Sequence, residues 1–282
     1  MSMIEVGKDR SGKSIELFYQ DVGAGKPVVL IHGWPVSQAM WEYQTTALAE
    51  QACRVISYDR RGFGRSCKPW DGYDYDTLAD DLNTLLEKLD LNDVTLVGFS
   101  MGGGEVARYM GRHGGKRVGK IVFVSAVTPY LLKTSDNPDG VEKKVFDDIL
   151  ENIHKDWPAF LQDFGKQFFG ATALHHPVSQ AVLDWNQSLA LQASLRATIA
   201  CAHAFAETDF RADLKKITVP TLIIHGGDDK TVPIDASGRR TARMIASATF
   251  KIYDGAPHGL FITHKDQLNS DLLAFIGSRP AL

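Results

Sequence analysis

The sequence predicts an α/β fold with a mostly parallel central sheet flanked by helices and an inserted helical cap. Two patterns indicate this architecture. Short apolar runs alternate with amphipathic segments along both ends of the 282-residue chain, as in sheets that helices cover on both faces. Between Val127 and Lys216 the alternation stops, and only helical patterns follow one another. A helical segment between two sheet strands indicates an insertion.

The strands are predicted from near-continuous apolar runs, which are typical of parallel strands buried on both faces. In chain order these runs occupy residues 26–31, 54–58, 94–97, 120–125, 221–225 and 249–253. Residues 14–20 instead alternate between apolar and polar side chains, which predicts a half-exposed edge strand.

The helices are predicted from apolar residues at three- and four-residue steps. Residues 76–90, 104–113, 236–245 and 265–276 would flank the sheet, and residues 141–154, 157–168, 179–191 and 195–207 would form the cap. Turns at Thr128-Pro129 and Val219-Pro220 mark the edges of the insertion. We therefore predict a core of residues 1–127 and 217–282 and a helical cap of residues 128–216.

Composition argues against several classes of function. A net charge of −3 provides no basic surface for nucleic acid, and no apolar run reaches the roughly 20 residues of a membrane-spanning helix. Residues 1–13 mix both charge signs and lack the apolar stretch of a signal peptide. Cys53, Cys67 and Cys201 lie far apart, which is typical of reduced thiols. We expect a cytoplasmic protein whose partners include neither nucleic acid nor a membrane.

A glycine-rich turn indicates a nucleophile. Gly98-Phe99-Ser100-Met101-Gly102 matches G-x-S-x-G between a strand and a helix, where a sharp turn lifts the serine hydroxyl off the sheet. Gly98 and Gly102 would avoid collisions between the strand and the helix. The motif also occurs in turns without chemistry, so Ser100 as nucleophile needs support from a base and an acid.

Both partners follow in the chain order that this architecture requires. His258 comes directly after one predicted strand, and Asp228 and Asp229 come after the strand before it. We predict that His258 is the base and that Asp229 orients it, since Asp229 holds the fifth position of the His225-Gly226-x-x-Asp pattern. Asp228 is expected to cap the turn. Together with Ser100 these residues predict acyl transfer through a covalent intermediate.

An oxyanion on the substrate needs hydrogen-bond donors. The backbone N–H of Met101 follows the nucleophile, and the loop VVLIHGWPVS after the first apolar strand offers the N–H of Trp34. We predict that these two groups form the oxyanion hole.

Two other motifs are given structural interpretations. Arg60 and Arg61 lie in a glycine-containing turn without the lysine of a phosphate-binding loop, so we expect them to hold loops through ion pairs. His175 and His176 have no further ligand at a suitable spacing, and we predict no metal site.

With these residues in place, the chain resembles the α/β-hydrolase superfamily and, within it, the cofactor-free haloperoxidase, arylesterase and perhydrolase group, also called non-heme chloroperoxidases. The segments that carry the resemblance are HGWP, YDRRGFGRS, DGYDYDTLADDL, VGFSMGGGEVARY, FAETDFRADLKKI, VPTLIIHG, VPIDASGRR and GAPHG. The resemblance implies the same triad and oxyanion hole, no cofactor, and a substrate pocket lined by Phe99, Val127, Phe164, Phe168 and Phe205.

The resemblance also implies an activity. Members of the group hydrolyse small esters, often aryl acetates, and with hydrogen peroxide they form peracids that oxidise halide. They often assemble into oligomers, so a homo-oligomer is implied. Alternatives are a lactonase or amidase of the same fold, or a non-catalytic ligand-binding homologue. Thr231 departs from the group's bulkier apolar residue and is expected to make the pocket rim more polar. Residues 175–191 of the predicted cap match the group poorly.

Overall fold

The computed structural model describes residues 2–277, within which eight strands form one sheet. In chain order these are β1 Ser2–Lys8, β2 Ser14–Gly23, β3 Lys26–Ile31, β4 Cys53–Tyr58, β5 Val94–Phe99, β6 Val118–Val124, β7 Thr221–Gly226 and β8 Ala248–Tyr253. Their order across the sheet is β1-β2-β4-β3-β5-β6-β7-β8. The first two pairings are antiparallel and the other five are parallel, which confirms the predicted fold class.

The six apolar runs all form strands, but the edge of the sheet differs from the prediction. Strand β2 is not an edge strand, because it pairs with β1 on one side and β4 on the other. Strand β1 was not predicted. Ile4 is its single fully buried residue, so its sequence carries no apolar run and no clear alternation.

The sheet is covered on both faces. Successive side chains of a strand point to opposite faces, so each buried strand contributes to two clusters. On β3, Val29 and Ile31 pack with one buried cluster and Val28 and Leu30 with the other. The first cluster includes residues of α2 Tyr75–Lys88 and α3 Met101–His113, and the second includes residues of α1 Glu42–Ala49 and α10 Lys265–Ile276. Helix α8 Gly238–Met244 packs near β7 and β8. Helix α1, a short 3-10 helix at Gln38–Trp41 and α9 Leu260–Thr263 were not predicted.

The chain between β6 and β7 contributes no strand to the sheet within the described range. It forms α4 Lys143–Phe168, α5 Gln180–Ala190, α6 Leu195–Glu207 and the single turn α7 Arg211–Leu214. Helix α4 is interrupted at Asp156, whose φ of −159° and ψ of 88° are not helical. The side chain of Asp156 accepts a hydrogen bond from the N–H of Ala159 at 3.0 Å and so caps the second half. The break lies between the two helices that the sequence predicts.

Residue 1 and residues 278–282 of the predicted core lie outside the described residues. Among the helices of residues 2–277, none has both the length and the apolar character needed to cross a membrane.

Candidate active site

Ser100 lies in a strained turn between β5 and α3. Its φ of 52° and ψ of −118° are unfavourable for a residue with a side chain. Backbone hydrogen bonds hold it there: its N–H donates to the carbonyl of Val124 at 2.9 Å, and its own carbonyl accepts from Gly103 at 3.0 Å and Val127 at 3.2 Å. Neighbouring strands and helix therefore fix the position of the serine.

The glycines around Ser100 are required by close backbone contacts. A Cβ atom at Gly98 would lie 2.5 Å from the carbonyl oxygen of Gly102, and one at Gly102 would lie 2.5 Å from that of Ile31. These distances are too short for any side chain, so the start of α3 packs directly on the ends of β3 and β5. The motif thus has the steric basis that the sequence suggests.

His258 joins Ser100 to Asp229. Its Nε2 lies 3.0 Å from Ser100 Oγ, and its Nδ1 lies 2.6 Å from Asp229 Oδ2. Because a carboxylate only accepts, the proton sits on Nδ1 and Nε2 is left to accept the serine proton. All three side chains are at most 6% exposed. The structure therefore brings together the three residues predicted from separate segments of the chain.

The turn that holds Asp229 differs in one detail from the prediction. The second oxygen of Asp229, Oδ1, accepts from the N–H groups of Thr231 at 3.0 Å and Val232 at 2.8 Å. The capping role expected of Asp228 is thus performed by Asp229 itself, while Asp228 is exposed. Asp229 is close enough to both N–H groups because the chain folds back directly after β7.

The environment keeps Asp229 ionised. Burial by itself would raise its pKa, but the charge of His258 and the hydrogen bonds from His225 and His258 outweigh burial and lower the pKa well below its usual value. The carboxylate is therefore available to stabilise the protonated His258 that forms during proton transfer.

Two predicted pocket residues pack against the base instead. The ring centroids of Phe99 and Phe168 lie 4.8 Å and 4.9 Å from that of His258, and neither residue lines the cavity at Ser100. Both are completely enclosed, in the cluster that also contains Phe261. They fill the interior behind the imidazole and not the wall of this cavity, and their assignment to the substrate pocket stays a prediction.

A small cavity of about 40 Å³ lies above Ser100. Trp34, Val127, Phe164, Phe205 and Thr231 of the sequence predictions line it, together with Leu131, Val141, Val145, Phe146, Ile149 and Val232. Thr231 and Ser100 provide its polar side chains. Such a mostly apolar lining with few polar groups is typical of small-molecule sites.

The first half of α4 provides a part of this wall that was not predicted. Val145, Phe146 and Ile149 recur at helical spacing in the first half of that helix. The stripe was visible in the sequence, but a stripe alone does not tell a cavity wall from a packed core.

The backbone of the loop after β3 lies against the nucleophile. A Cβ atom at Gly33 would lie 3.2 Å from the Cβ of Ser100, so the peptide between Gly33 and Trp34 adjoins the serine. The Trp34 indole is held by a 2.9 Å hydrogen bond from its Nε1 to the carbonyl of Thr198. Met101 is the first residue of α3, and first-turn N–H groups have no acceptor within their own helix.

The two arginines after β4 form buried ion pairs, as predicted. Arg60 Nε lies 2.7 Å from Glu105 Oε2, and Arg61 Nε lies 2.6 Å from Asp81 Oδ2. Within residues 2–277 no group of His, Cys, Asp and Glu side chains is arranged to hold a metal ion.

Comparison with known proteins agrees with this architecture. A sequence model of the alpha/beta hydrolase fold matches residues 26–265. The chain is 46% identical to the non-heme chloroperoxidase CPO-A1 of Kitasatospora aureofaciens over 93% of this chain and 96% of that protein. It is 40% identical to the bifunctional esterase/perhydrolase DCH of Acinetobacter calcoaceticus over 94% of this chain and 97% of that protein.

A solved structure is similar over the same length. The bromoperoxidase from Bacillus anthracis superimposes with a TM-score of 0.94 at 47% identity, covering 98% of this chain and 99% of that one. The chain therefore belongs to the α/β-hydrolase family and, within it, to the group that contains the non-heme haloperoxidases.

Proposed function

We propose that the protein is a serine esterase for small carboxylic esters and that it also transfers the acyl group to hydrogen peroxide. The observation that carries this proposal is the hydrogen-bonded series Ser100–His258–Asp229 beneath an apolar cavity. Relatives named as an esterase/perhydrolase and as a chloroperoxidase support both halves of the proposal.

In the first half-reaction Ser100 Oγ attacks the ester carbonyl carbon while His258 Nε2 takes the serine proton. The negative charge on the carbonyl oxygen is stabilised by the N–H groups of Trp34 and Met101. When the tetrahedral intermediate collapses, the C–O bond to the alcohol breaks and His258 returns the proton to the departing oxygen. The acyl group is then bound to Ser100 as an ester.

In the second half-reaction His258 removes a proton from water or hydrogen peroxide, which attacks the acyl carbon. The bond to Ser100 Oγ breaks, and the serine regains its proton from His258. Water releases a carboxylic acid, and peroxide releases a peracid. The peracid then oxidises a halide ion in solution to hypohalous acid and is itself reduced to the carboxylate.

The cavity wall suggests the class of substrate. Apolar side chains from both sides of the cavity suit an aryl group or a short aliphatic chain. We assign residues 1–127 and 217–282 to the core and residues 128–216 to the cap. Val145, Phe146 and Ile149 come from that cap, so the cap selects the substrate. A homo-oligomer and a cytoplasmic location stay predictions from the sequence.

The experiment measures hydrolysis of p-nitrophenyl acetate by the wild-type protein and by Ser100→Ala. Ser125→Ala is the control, because Ser125 is a buried serine one residue beyond β6 whose Oγ has no hydrogen-bond partner among the described residues. We expect background activity for Ser100→Ala and a rate within about twofold of wild type for Ser125→Ala, the range of a change of a few tenths of a kcal/mol. Equal rates for wild type and Ser100→Ala would reject Ser100 as the nucleophile.

A second assay tests acyl transfer to peroxide. Acetate, hydrogen peroxide and bromide are incubated with each variant, and bromination of a dye is followed. Wild type should brominate and Ser100→Ala should not. If wild type hydrolyses esters without brominating, the perhydrolase half of the proposal is wrong. A panel of lactones and amides, run beside the esters, separates the esterase from a lactonase or amidase.

A further inference from the structure

A buried polar network lies behind the loop that carries Trp34. His32 is completely buried, and its Nε2 accepts a hydrogen bond from the backbone N–H of Arg60 at 3.0 Å. The proton of the ring must then be on Nδ1, which lies 2.7 Å from the carbonyl oxygen of Gly33. Burial and the charge of Arg60 lower the pKa of His32 well below its usual value, so the ring stays neutral in this tautomer.

This hydrogen bond fixes the direction of the Trp34 N–H. The carbonyl of Gly33 and the N–H of Trp34 belong to one peptide unit, and a peptide unit is planar. Holding the carbonyl oxygen on His32 therefore orients the N–H at the other side of the same plane. That N–H is one of the two donors in the proposed oxyanion hole.

Arg60 links this loop to the helix of the nucleophile. Its Nη2 donates to the carbonyl of His32 at 2.9 Å, and its Nε donates to Glu105 Oε2 at 2.7 Å. Glu105 also accepts from the hydroxyl of Tyr58. Glu105 lies in α3, one turn after Met101, the second proposed donor. The side chains of Arg60 and Glu105 are each 1% exposed.

The pairing of β3 with β5 ends before the chain reaches the N–H groups of Trp34 and Met101. Strands β3 and β5 are in register up to Ile31 and Gly98, before the chain reaches Trp34 and Met101. Beyond that point the loop and the helix are held by the direct packing of Gly102 on the backbone of Ile31 and His32 and by the contacts of Arg60. Stability alone does not require the charges of Arg60 and Glu105, because apolar residues of similar volume often replace a buried ion pair without loss of stability.

We propose that Arg60 and Glu105 are positioning residues which align the N–H groups of Trp34 and Met101 on one oxyanion. The inference rests on the proposed function, because it requires a tetrahedral intermediate at Ser100. Neither side chain touches the substrate. Their effect is specific to the transition state, in which the oxygen carries charge, and small for the bound ester.

The neighbouring ion pair provides a matched control. Arg61 binds Asp81 through two hydrogen bonds of 2.6 Å, and both side chains are nearly buried. Glu105→Gln and Asp81→Asn each remove one carboxylate charge from a buried arginine, so both should lower thermal stability. The structure links Arg60, and not Arg61, to His32 by hydrogen bonds among the described residues.

The test compares kcat and KM for p-nitrophenyl acetate with inhibition by a small arylboronic acid, which forms a tetrahedral adduct with a serine. For Glu105→Gln we expect kcat to fall about 10- to 100-fold with KM nearly unchanged. This decrease in kcat is somewhat smaller than the decrease caused by removing an oxyanion-hole donor altogether. The inhibition constant of the boronic acid should rise by a similar factor. For Asp81→Asn we expect kcat and the inhibition constant to stay within about twofold of wild type, because this pair does not act on the transition state.

Equal losses in the two variants would overturn the inference, because the pair would then contribute only general packing. Unchanged kcat in Glu105→Gln would overturn it as well. If Glu105→Gln does not fold, Glu105→Asp keeps the charge but is one methylene shorter, and the same comparison applies to it. If the wild-type protein neither cleaves the ester nor binds the boronic acid, the proposed function itself is wrong, which is a distinct outcome.

Discussion

His225 Nε2 lies 3.4 Å from Asp229 Oδ2, the same oxygen that accepts the hydrogen bond from His258. The ring of His225 also contacts the carbonyl of Val232 at 2.9 Å, so its proton is on Nε2 and points between the two oxygens. Gly238 makes room for this ring, because a Cβ there would lie 2.6 Å from Nδ1. Asp229 is thus held by two imidazoles as well as by backbone N–H groups.

This arrangement predicts a large loss of activity for Asp229→Asn. An amide nitrogen facing His258 would favour the tautomer that carries its proton on Nε2, which cannot accept the proton of Ser100. We expect kcat for p-nitrophenyl acetate to fall by about 10³- to 10⁴-fold, as in other triads, with little change in KM. Asp228→Asn is the control, since that exposed carboxylate should be replaceable within about twofold. An equal loss in both variants would contradict the assignment of Asp229.

The low pKa of Asp229 also predicts how stability depends on pH. Below the usual aspartate pKa the unfolded chain binds a proton that the folded protein does not, so acid favours unfolding. The stabilisation by this carboxylate is complete above about pH 5 and is lost as the pH falls through its folded pKa. The difference in free energy of unfolding between wild type and Asp229→Asn should therefore shrink by about 1 kcal/mol from pH 6 to pH 3. Urea unfolding at each pH measures it, and a constant difference would refute the ionised, hydrogen-bonded state of Asp229.

The glycine at the start of the serine motif gives a steric prediction. Gly98→Ala would place a Cβ 2.5 Å from the carbonyl oxygen of Gly102, and neither backbone can move without displacing Ser100. We expect a loss of about 2 kcal/mol or more in the free energy of unfolding. Gly165→Ala is the matched change in a helix, where the nearest atom outside the adjoining residues and the helix backbone is Asn186 Nδ2 at 3.7 Å. That variant should gain about 0.5 to 1 kcal/mol. Thermal or urea unfolding distinguishes the two, and equal stabilities would show that the turn tolerates a side chain.

The catalytic groups could be predicted from the sequence because each follows directly on a strand. Parallel strands bring their carboxyl ends to one edge of the sheet, so Ser100, Asp229 and His258 were expected at that same edge once the strands were identified. The break in α4 was predictable for a similar local reason, since Asp156 is a good cap and stands two residues before Pro158.

The pocket could not be predicted in the same way. Phe164 and Phe168 lie one turn apart on the same face of α4, so helical spacing treats them alike. In the structure Phe164 lines the cavity while Phe168 packs against His258. The difference arises from where the helix ends relative to the loop of His258, which depends on long-range packing. Strand β1 could not be predicted because its pattern is too weak: Ile4 is its one buried residue.

The cap wall of the cavity provides the prediction most specific to substrate choice. Phe146 lines the cavity from α4, and its ring lies 6.4 Å from that of Phe205. Phe146→Ala would lengthen the cavity and let it enclose a longer chain. Each additional buried methylene contributes about 0.8 kcal/mol, so two of them would favour the longer ester by about 10-fold in kcat/KM.

Two series of esters test this prediction and show which part of the ester occupies the cavity. One series varies the acyl chain of p-nitrophenyl esters from acetate to octanoate, and the other varies the alcohol of acetate esters. Phe275→Ala is the control, because this phenylalanine is also half-buried but lies on α10, away from the cavity. In Phe146→Ala one series should shift toward longer chains, and that series identifies the group that contacts the cap. In Phe275→Ala neither should shift. If Phe146→Ala changes neither series, the substrate does not reach the cap wall, and the cap does not select it there.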